Sequence, residues 1–227
     1  MNMINALPGT DPDNTIFEMV NGDLFDPLDP DPDKIEVEVI ATVLGNSCRF
    51  GGHVPRFYST AQHSILVAFL APRDLPAQRY ALFHDADETL GLPDMLTMVK
   101  KAFGNFVRAQ AQIASAVEKR LKLDPADHKR IKPADRQALN LEKLQLRKIG
   151  SNSFWQSWTG GLHTPEGITI DPLYPDAAQE LFWQAYERVF LAEKPITVEW
   201  LNQRPGFTVE PQELRYVDWH DRRVMAA

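Results

Sequence analysis

An imidazole and a carboxylate stand side by side at His84-Asp85, inside the run Phe83-His84-Asp85-Ala86-Asp87-Glu88. Such a pair can offer one divalent cation two ligands of different kinds. If the stretch is helical, Glu88 falls one turn on, at i+4 from His84 and i+3 from Asp85, on the same face. Leu82 and Phe83 lead in, which puts the charges at the wall of a core. Helix ends also use such dipeptides for capping and pairing, so the rest of the chain must decide. His63 stands upstream on an apolar helix, where a single histidine is ordinarily a satisfied core residue. Asp135 stands downstream in the first turn of another helix, where an aspartate can simply complement the helix dipole. Taken together, His63, His84-Asp85 and Asp135 occupy three separate helices. Two neutral imidazoles and two carboxylates neutralise a divalent cation, and they suit Mn, Fe, Co or Zn better than Ca. Inward-facing side chains of a helix bundle can converge on such an ion.

Other polar groups sit just ahead of these helices. Residues 47–58 read as a loop in which Gly51-Gly52 permits backbone conformations that other residues resist. Arg49, His53 and Arg56 lie in it. They are either incidental surface charges or a phosphate clamp, because guanidinium matches phosphate oxygens in a two-pronged geometry. Asp94, after Gly91-Leu92-Pro93, is either a helix cap or a second catalytic carboxylate.

The elements that must position these groups follow from local signals. Residues 1–14 form a polar arm. Asn21-Gly22 between short apolar runs predicts a hairpin with a type I′ turn. Asp33 is placed to cap a helix over 34–44, closed by Gly45-Asn46. Ser59 and Gln62 make a capping box, and the helix they open puts His63, Leu66, Val67 and Leu70 on one stripe. Further helices are predicted over 77–89, 95–103, 105–121, 134–149 and 177–191. Pro125 and Pro133 mark helix starts, and Ala138, Leu141, Leu144 and Ile149 form the apolar side of 134–149. Residues 150–172 read as a long loop or lid, with Trp155, Trp158, Gly160, Gly161 and His163 available to cover a pocket. Residues 192–227 read as irregular, with a short strand near 196–199. The fold class is therefore all-α, with a short N-terminal β-hairpin and an irregular C-terminal extension. One domain spans 1–227: arm and hairpin over 1–33, core over 34–149, and lid-like loop, helix and extension over 150–227.

Composition narrows the setting. At 227 residues the chain can bury a core without staples. Its single cysteine, Cys48, excludes an internal disulfide framework and suits a reducing compartment. No apolar run approaches a membrane span, and the first residues lack the blocks of a signal peptide. The expectation is a cytoplasmic protein. The net charge of −7 argues against stable nucleic-acid binding. Residues 1–33 hold eight acidic residues and no Lys or Arg, whereas 100–148 hold thirteen Lys and Arg against five Asp and Glu. That basic segment either lines solvated helix faces or attracts a phosphate-bearing ligand.

Five stretches carry a family resemblance: Cys48-Arg49-Phe50-Gly51-Gly52-His53, Phe57-Tyr58-Ser59-Thr60-Ala61-Gln62-His63-Ser64, Leu82 to Glu88, Asp94-Met95-Leu96-Thr97-Met98-Val99-Lys100, and Ala134-Asp135-Arg136. In this order they resemble the HD-domain phosphohydrolases, most closely the YfbR-like 5′-deoxynucleotidases, over about residues 16–148. The resemblance implies an HD-domain helical bundle with His63, His84, Asp85 and Asp135 as metal ligands. It implies Glu88 and Asp94 as catalytic carboxylates, the second against the capping reading. It implies Arg49 at the substrate phosphate, Phe50 beside the nucleotide, and Thr97 and Lys100 at the end of the same site. Arg56 is a further cation available for longer phosphate chains. The implied cofactor is a divalent ion among Mn, Co, Fe, Zn and Mg, and the implied assembly is a homodimer or higher homo-oligomer. The sequence departs from that pattern in three places. The interval from His84 to Asp94 is one residue longer, Leu96 and Met98 replace prolines, and the C-terminal third has no counterpart.

The expected chemistry is hydrolysis of a nucleotide phosphate ester, with a deoxynucleoside 5′-monophosphate as substrate. The same site chemistry would serve a dNTP triphosphohydrolase. A nucleotide-sensing protein that keeps the metal fold without turnover is the alternative of another class, and the presence of Glu88 and Asp94 argues against it.

Overall fold

The computed structural model describes residues 15–93, 95, 97–100, 102–147 and 164–210. It is predominantly helical, with two small two-stranded sheets among these residues. The readings of Asp94 and of Trp155, Trp158, Gly160, Gly161 and His163 lie outside the described residues, as does Ile149.

The hairpin forms, but with a different turn. β1 (Phe17–Glu18) pairs antiparallel with β2 (Leu24–Phe25), Phe17 opposite Phe25. Only Gly22 takes a positive φ, at 87°, and Asn21 does not, so the turn is not type I′. Instead the Gly22 N–H closes a four-residue turn onto the Met19 carbonyl at 2.9 Å, and the left-handed glycine returns the chain to β2. The helix expected from Asp33 also starts later. Pro32–Lys34 make one 3₁₀ turn capped by the Asp31 side chain. Ile35, fully buried, then pulls the chain out straight, and α1 begins at Val37 and runs to Asn46.

α2 (Thr60–Leu70) opens on the expected cap, the Ser59 hydroxyl accepting from the Gln62 N–H at 3.1 Å. It is not amphipathic. Every residue from Thr60 to Phe69 is buried, because α2 is the central helix that α1, α3 (Leu75–Phe83), α6 (Asp127–Leu146) and α7 (Pro175–Tyr186) pack around. α3 (Leu75–Phe83) is capped by Asp74, which also binds Arg130 on α6 and so ties the starts of the two helices. α3 ends at Phe83, not at residue 89. α4 is a single turn, Thr97–Lys100, where a longer helix was expected. α5 (Gly104–Leu121) is terminated by Lys122 in the left-handed conformation.

α6 (Asp127–Leu146) starts a full two turns ahead of the predicted position. The Asp124 carboxylate accepts from the Ala126 N–H at 2.9 Å and turns the chain into the helix there. Pro133 therefore lies inside α6. It forgoes one backbone hydrogen bond, and packing of Ile131, Ala134, Ala138 and Leu141 into the core compensates. Leu144 points to solvent instead.

The described residues beyond the basic segment close the bundle. β3 (Ile168–Ile170) pairs antiparallel with β4 (Phe207–Val209), and Gln145 of α6 clamps β3 by accepting from the Ile170 N–H and donating to the Ile168 carbonyl. α7 (Pro175–Tyr186) lies against α1 and α2 and runs into a π turn, Glu187–Leu191. The strand expected near 196–199 is absent, because the Thr197 hydroxyl caps a short helix, α8 (Val198–Asn202). One hydrophobic core thus runs from Met19 and Phe25 through α1, α2, α3 and α6 to Phe207 and Val209. Among the described residues no helix is long and apolar enough to cross a membrane.

Gly45 sets the approach of α7 to α1. A Cβ there would lie 3.0 Å from Gln179 Cβ and 3.0 Å from the Pro175 carbonyl oxygen. Gly45→Val should therefore cost about 1–3 kcal/mol of stability. Chemical denaturation checks this, and an unchanged midpoint would mean that the two helices part freely.

Candidate metal centre

The end of α3 solves a geometric problem. Neighbouring residues on a continuous helix do not face each other, so an unbroken helix would splay His84 and Asp85. Here His84 is the C-cap of α3, Asp85 leaves the helical region (φ −105°, ψ 12°), and a 3₁₀ turn, Ala86–Glu88, follows. Phe83 fixes the helix end by packing edge-on against Phe182, Tyr186 and Phe190, at 5.3, 6.1 and 5.5 Å between ring centroids. His84 then turns toward α2 and α6.

His63, His84 and Asp135 meet in a cluster that could hold a metal ion, with one donor atom from each lying within 4.8 Å of the others. Asp135 Oδ1 is 3.6 Å from His63 Nε2 and 3.9 Å from His84 Nε2. Asp85 straddles the two rings, Oδ2 at 3.7 Å from His63 Nε2 and Oδ1 at 3.3 Å from His84 Nε2. Donors bound to one ion at about 2.1 Å lie roughly 3.0–3.5 Å apart, so a small contraction would suit these groups to a single cation. Asp135 is not a first-turn residue completing a helix dipole. It sits in the middle of α6, two turns from its start.

The tautomers agree with this reading. The His84 Nδ1–H donates to the Ala81 carbonyl at 2.7 Å, and His63 Nδ1 lies 2.6 Å from Glu142 Oε1. Each ring thus spends Nδ1 on the protein and keeps Nε2 for the cluster. Both Nε2 atoms are buried and have no hydrogen-bond partner among the described residues. Two buried orphan nitrogens aimed at two carboxylates fit a cation.

Glu142 is the residue that sequence reading missed. It is fully buried, and it accepts from the Tyr58 hydroxyl at 3.0 Å besides facing His63 and Arg49. A carboxylate behind a metal-facing histidine orients the ring and raises its basicity. The available signal was its spacing of two helical turns from Asp135, which puts both on one face of α6.

Electrostatics follow the contacts. Burial and the Arg49 charge oppose protonation of His63, but Glu142 and Asp135 prevail and hold its pKa at about 9. His84 is lowered, chiefly by burial. Burial would raise Asp135, yet His63, His84 and Lys132 keep it well below the usual carboxylate range. Burial and the Asp85 charge push Asp87 up to about 7.

The remaining predicted residues divide. Arg49 reaches the cluster, with Nη1 3.4 Å from Asp85 Oδ2 and Nη2 3.5 Å from Glu142 Oε2. The 47–58 segment is more than a loop. The Arg49 N–H binds the Tyr58 carbonyl at 2.9 Å, Cys48 bridges Ser59, and Arg49–Gly52 form a 3₁₀ turn. Phe50 takes a positive φ of 58° in that turn, an unusual state for an aromatic residue. Its buried ring lies under Arg49 and Arg147. Glu88 lies one turn beyond Asp85, but the turn is 3₁₀ and not α, with the Glu88 N–H bonded to the Asp85 carbonyl at 3.1 Å. It is buried in the 3₁₀ turn, ion-paired with Lys100 and bonded by Gln110 at 3.3 Å. Thr97 opens α4. Arg56 stays on the surface, 68% exposed, against Asp171 and the Pro172 carbonyl.

No family model matches the chain. Two curated proteins do align with it. One, from Escherichia coli K12 and named Uncharacterized protein YfdR, is 31% identical over 154 residues, covering 68% of this chain and 84% of that protein. The other, from Rhodobacter capsulatus and named Uncharacterized protein RCAP_rcc00048, is 40% identical over 140 residues, covering 56% of this chain and 71% of that protein.

Two predictions follow from the centre. His84→Ala and Asp135→Ala should each abolish stoichiometric metal loading, read by elemental analysis, and full occupancy in both would refute the ligand set. A His63 held protonated up to about 9 must give up that proton to a metal. Affinity should therefore climb with pH and flatten above about 9. Titration calorimetry at pH 7.5 in buffers of different ionisation enthalpy should count about one proton released per ion in the native protein. In Glu142→Gln, where one of the two carboxylates holding that proton is gone, it should count fewer.

Proposed function

We propose that this chain, which belongs to the family of the uncharacterized protein YfdR, is a metal-dependent phosphohydrolase of the HD-domain type, on the ground that two buried imidazole nitrogens face Asp135 and Asp85. Its substrate is a nucleotide, in first place a deoxynucleoside 5′-monophosphate. The observation that carries the reading is the pair of buried Nε2 atoms, which make no hydrogen bond among the described residues and face carboxylate oxygens at 3.3–3.9 Å. Such atoms cost free energy unless a ligand uses them, and a mixed imidazole and carboxylate set favours manganese, cobalt, iron or zinc over calcium.

His63, His84, Asp85 and Asp135 would hold the cation. When bound, it supplies the positive charge that polarises a phosphate oxygen and acidifies water. The chain's own residues do the rest. Arg49, poised between Asp85 and Glu142, turns its fork to the phosphate and stabilises charge that develops there. Its planar geometry suits two phosphate oxygens at once. Glu88, held by Lys100 and Gln110, accepts and returns the proton. Phe50 supplies an apolar wall beside the arginine.

The deciding experiment incubates the purified protein with manganese, cobalt or magnesium and all ribo- and deoxyribonucleoside mono- and triphosphates. Orthophosphate from monophosphates supports the proposal. Inorganic triphosphate from dNTPs assigns the triphosphohydrolase reading. Nucleotide binding without turnover in any arm assigns the sensing role. Given turnover, Glu88→Gln should keep its metal and lose about 10²–10⁴ in kcat. Near-normal kcat in that variant would move the proton transfer to another carboxylate.

A further inference from the structure

Lys132 stands on α6 three residues before Asp135 and donates to Asp135 Oδ2 at 3.2 Å. The two oxygens of Asp135 therefore face opposite ways in function. Oδ1 looks at the two histidine nitrogens, and Oδ2 carries an ammonium. An ion taken by Oδ1 would have Lys132 just across one carboxylate from it.

Exposure separates Lys132 from the other cations of the site. The Arg49 side chain is 13% exposed and the Lys100 side chain 17%, and each is engaged by buried carboxylates. Lys132 is 42% exposed, and its one ion pair among the described residues is to Asp135. An ammonium has three N–H donors, and Asp135 takes one. His128, one turn back on α6, makes no hydrogen bond to Lys132 among the described residues. Its Nδ1 lies 3.3 Å from the Tyr80 hydroxyl. That hydroxyl donates to Glu118 at 2.7 Å, so it accepts from His128.

We propose that Lys132 is a substrate-contacting residue, which directs its two remaining donors to a phosphate oxygen of the ligand at the metal cluster. The proposal rests on the phosphohydrolase reading. It adds a phosphate contact at the Asp135 oxygen that does not face the histidines, on a different carboxylate from those that hold Arg49. A lysine suits this place, because a flexible stem can hold Asp135 and still follow an anion as it arrives. The competing role is mere positioning of Asp135, and the two roles separate in binding measurements without turnover.

The test titrates inorganic phosphate into native protein, Lys132→Met and Lys132→Arg, each saturated with manganese, with manganese affinity measured separately. If Lys132 contacts the anion, Lys132→Met loses about tenfold to a hundredfold in phosphate affinity, the scale of a hydrogen bond to a charged group. Its manganese affinity stays level or rises, since a neighbouring positive charge is gone, and Lys132→Arg recovers most of the phosphate binding. Equal phosphate affinity in native protein and Lys132→Met overturns the contact while leaving the phosphohydrolase reading intact. Failure of Lys132→Met to load manganese even at millimolar metal assigns Lys132 to positioning and also overturns it. Native protein that takes manganese but no phosphate removes the functional reading and this contact with it.

Discussion

The contact between the Glu142 carboxylate and the His63 imidazole is the constraint on which the centre depends. Both side chains are fully buried. A carboxylate in that position is costly unless it is paired and hydrogen-bonded. Glu142 meets the requirement with three groups from two segments: the His63 ring, the Tyr58 hydroxyl and the Arg49 guanidinium. That arrangement locks α6, α2 and the 48–59 segment together around one charge. It also commits His63 Nδ1, so that Nε2 is the atom left to face Asp85 and Asp135.

A second constraint acts at the other imidazole. The aromatic residues of α7 and its π turn close on Phe83 from one side, and the backbone leaves the helix immediately afterwards. His84 and Asp85 can face one point only because the helix stops between them and the acidic residues that follow. The 3₁₀ turn that follows the break carries Glu88, which is ion-paired with Lys100. α7 is therefore more than an appendage to the bundle, since its apolar face determines where α3 may end.

The charges around the cluster are arranged in pairs that a ligand can reorganise. Arg49 bridges Asp85 and Glu142, Lys100 holds Glu88, and Lys132 holds Asp135. Under the proposed function, a cation held by the two imidazoles, Asp85 and Asp135 would weaken the hold of Arg49 on Asp85 and of Lys132 on Asp135, and would leave those donors to the phosphate.

Local chemistry was legible wherever one short signal sufficed. The Ser59 cap of α2, the N-terminal hairpin, the helix beginning near residue 104 and the helical class all follow from neighbouring residues, because capping and turn preferences act over three or four positions. The residues of the cluster that could hold a metal ion, His63, His84 and Asp135, were readable from type and order. What the sequence could not determine was anything set by packing from far along the chain. Pro133 reads as a helix start, yet Asp124 and a buried α6 face carry the helix through it. The stripe expected on α2 is absent because four other helices bury every side. The stop of α3 at Phe83 depends on aromatic residues about a hundred positions away. Arg56 and Arg49 look alike in the sequence, and only the bridge from Cys48 to Ser59 sends one to the cluster and leaves the other on the surface. Glu142 shares a helix face with Asp135, but its role was hidden for the same reason. A glutamate in a helix is ordinarily solvated, and it becomes a buried support for an imidazole only once α2 and α6 have packed and removed the water between them.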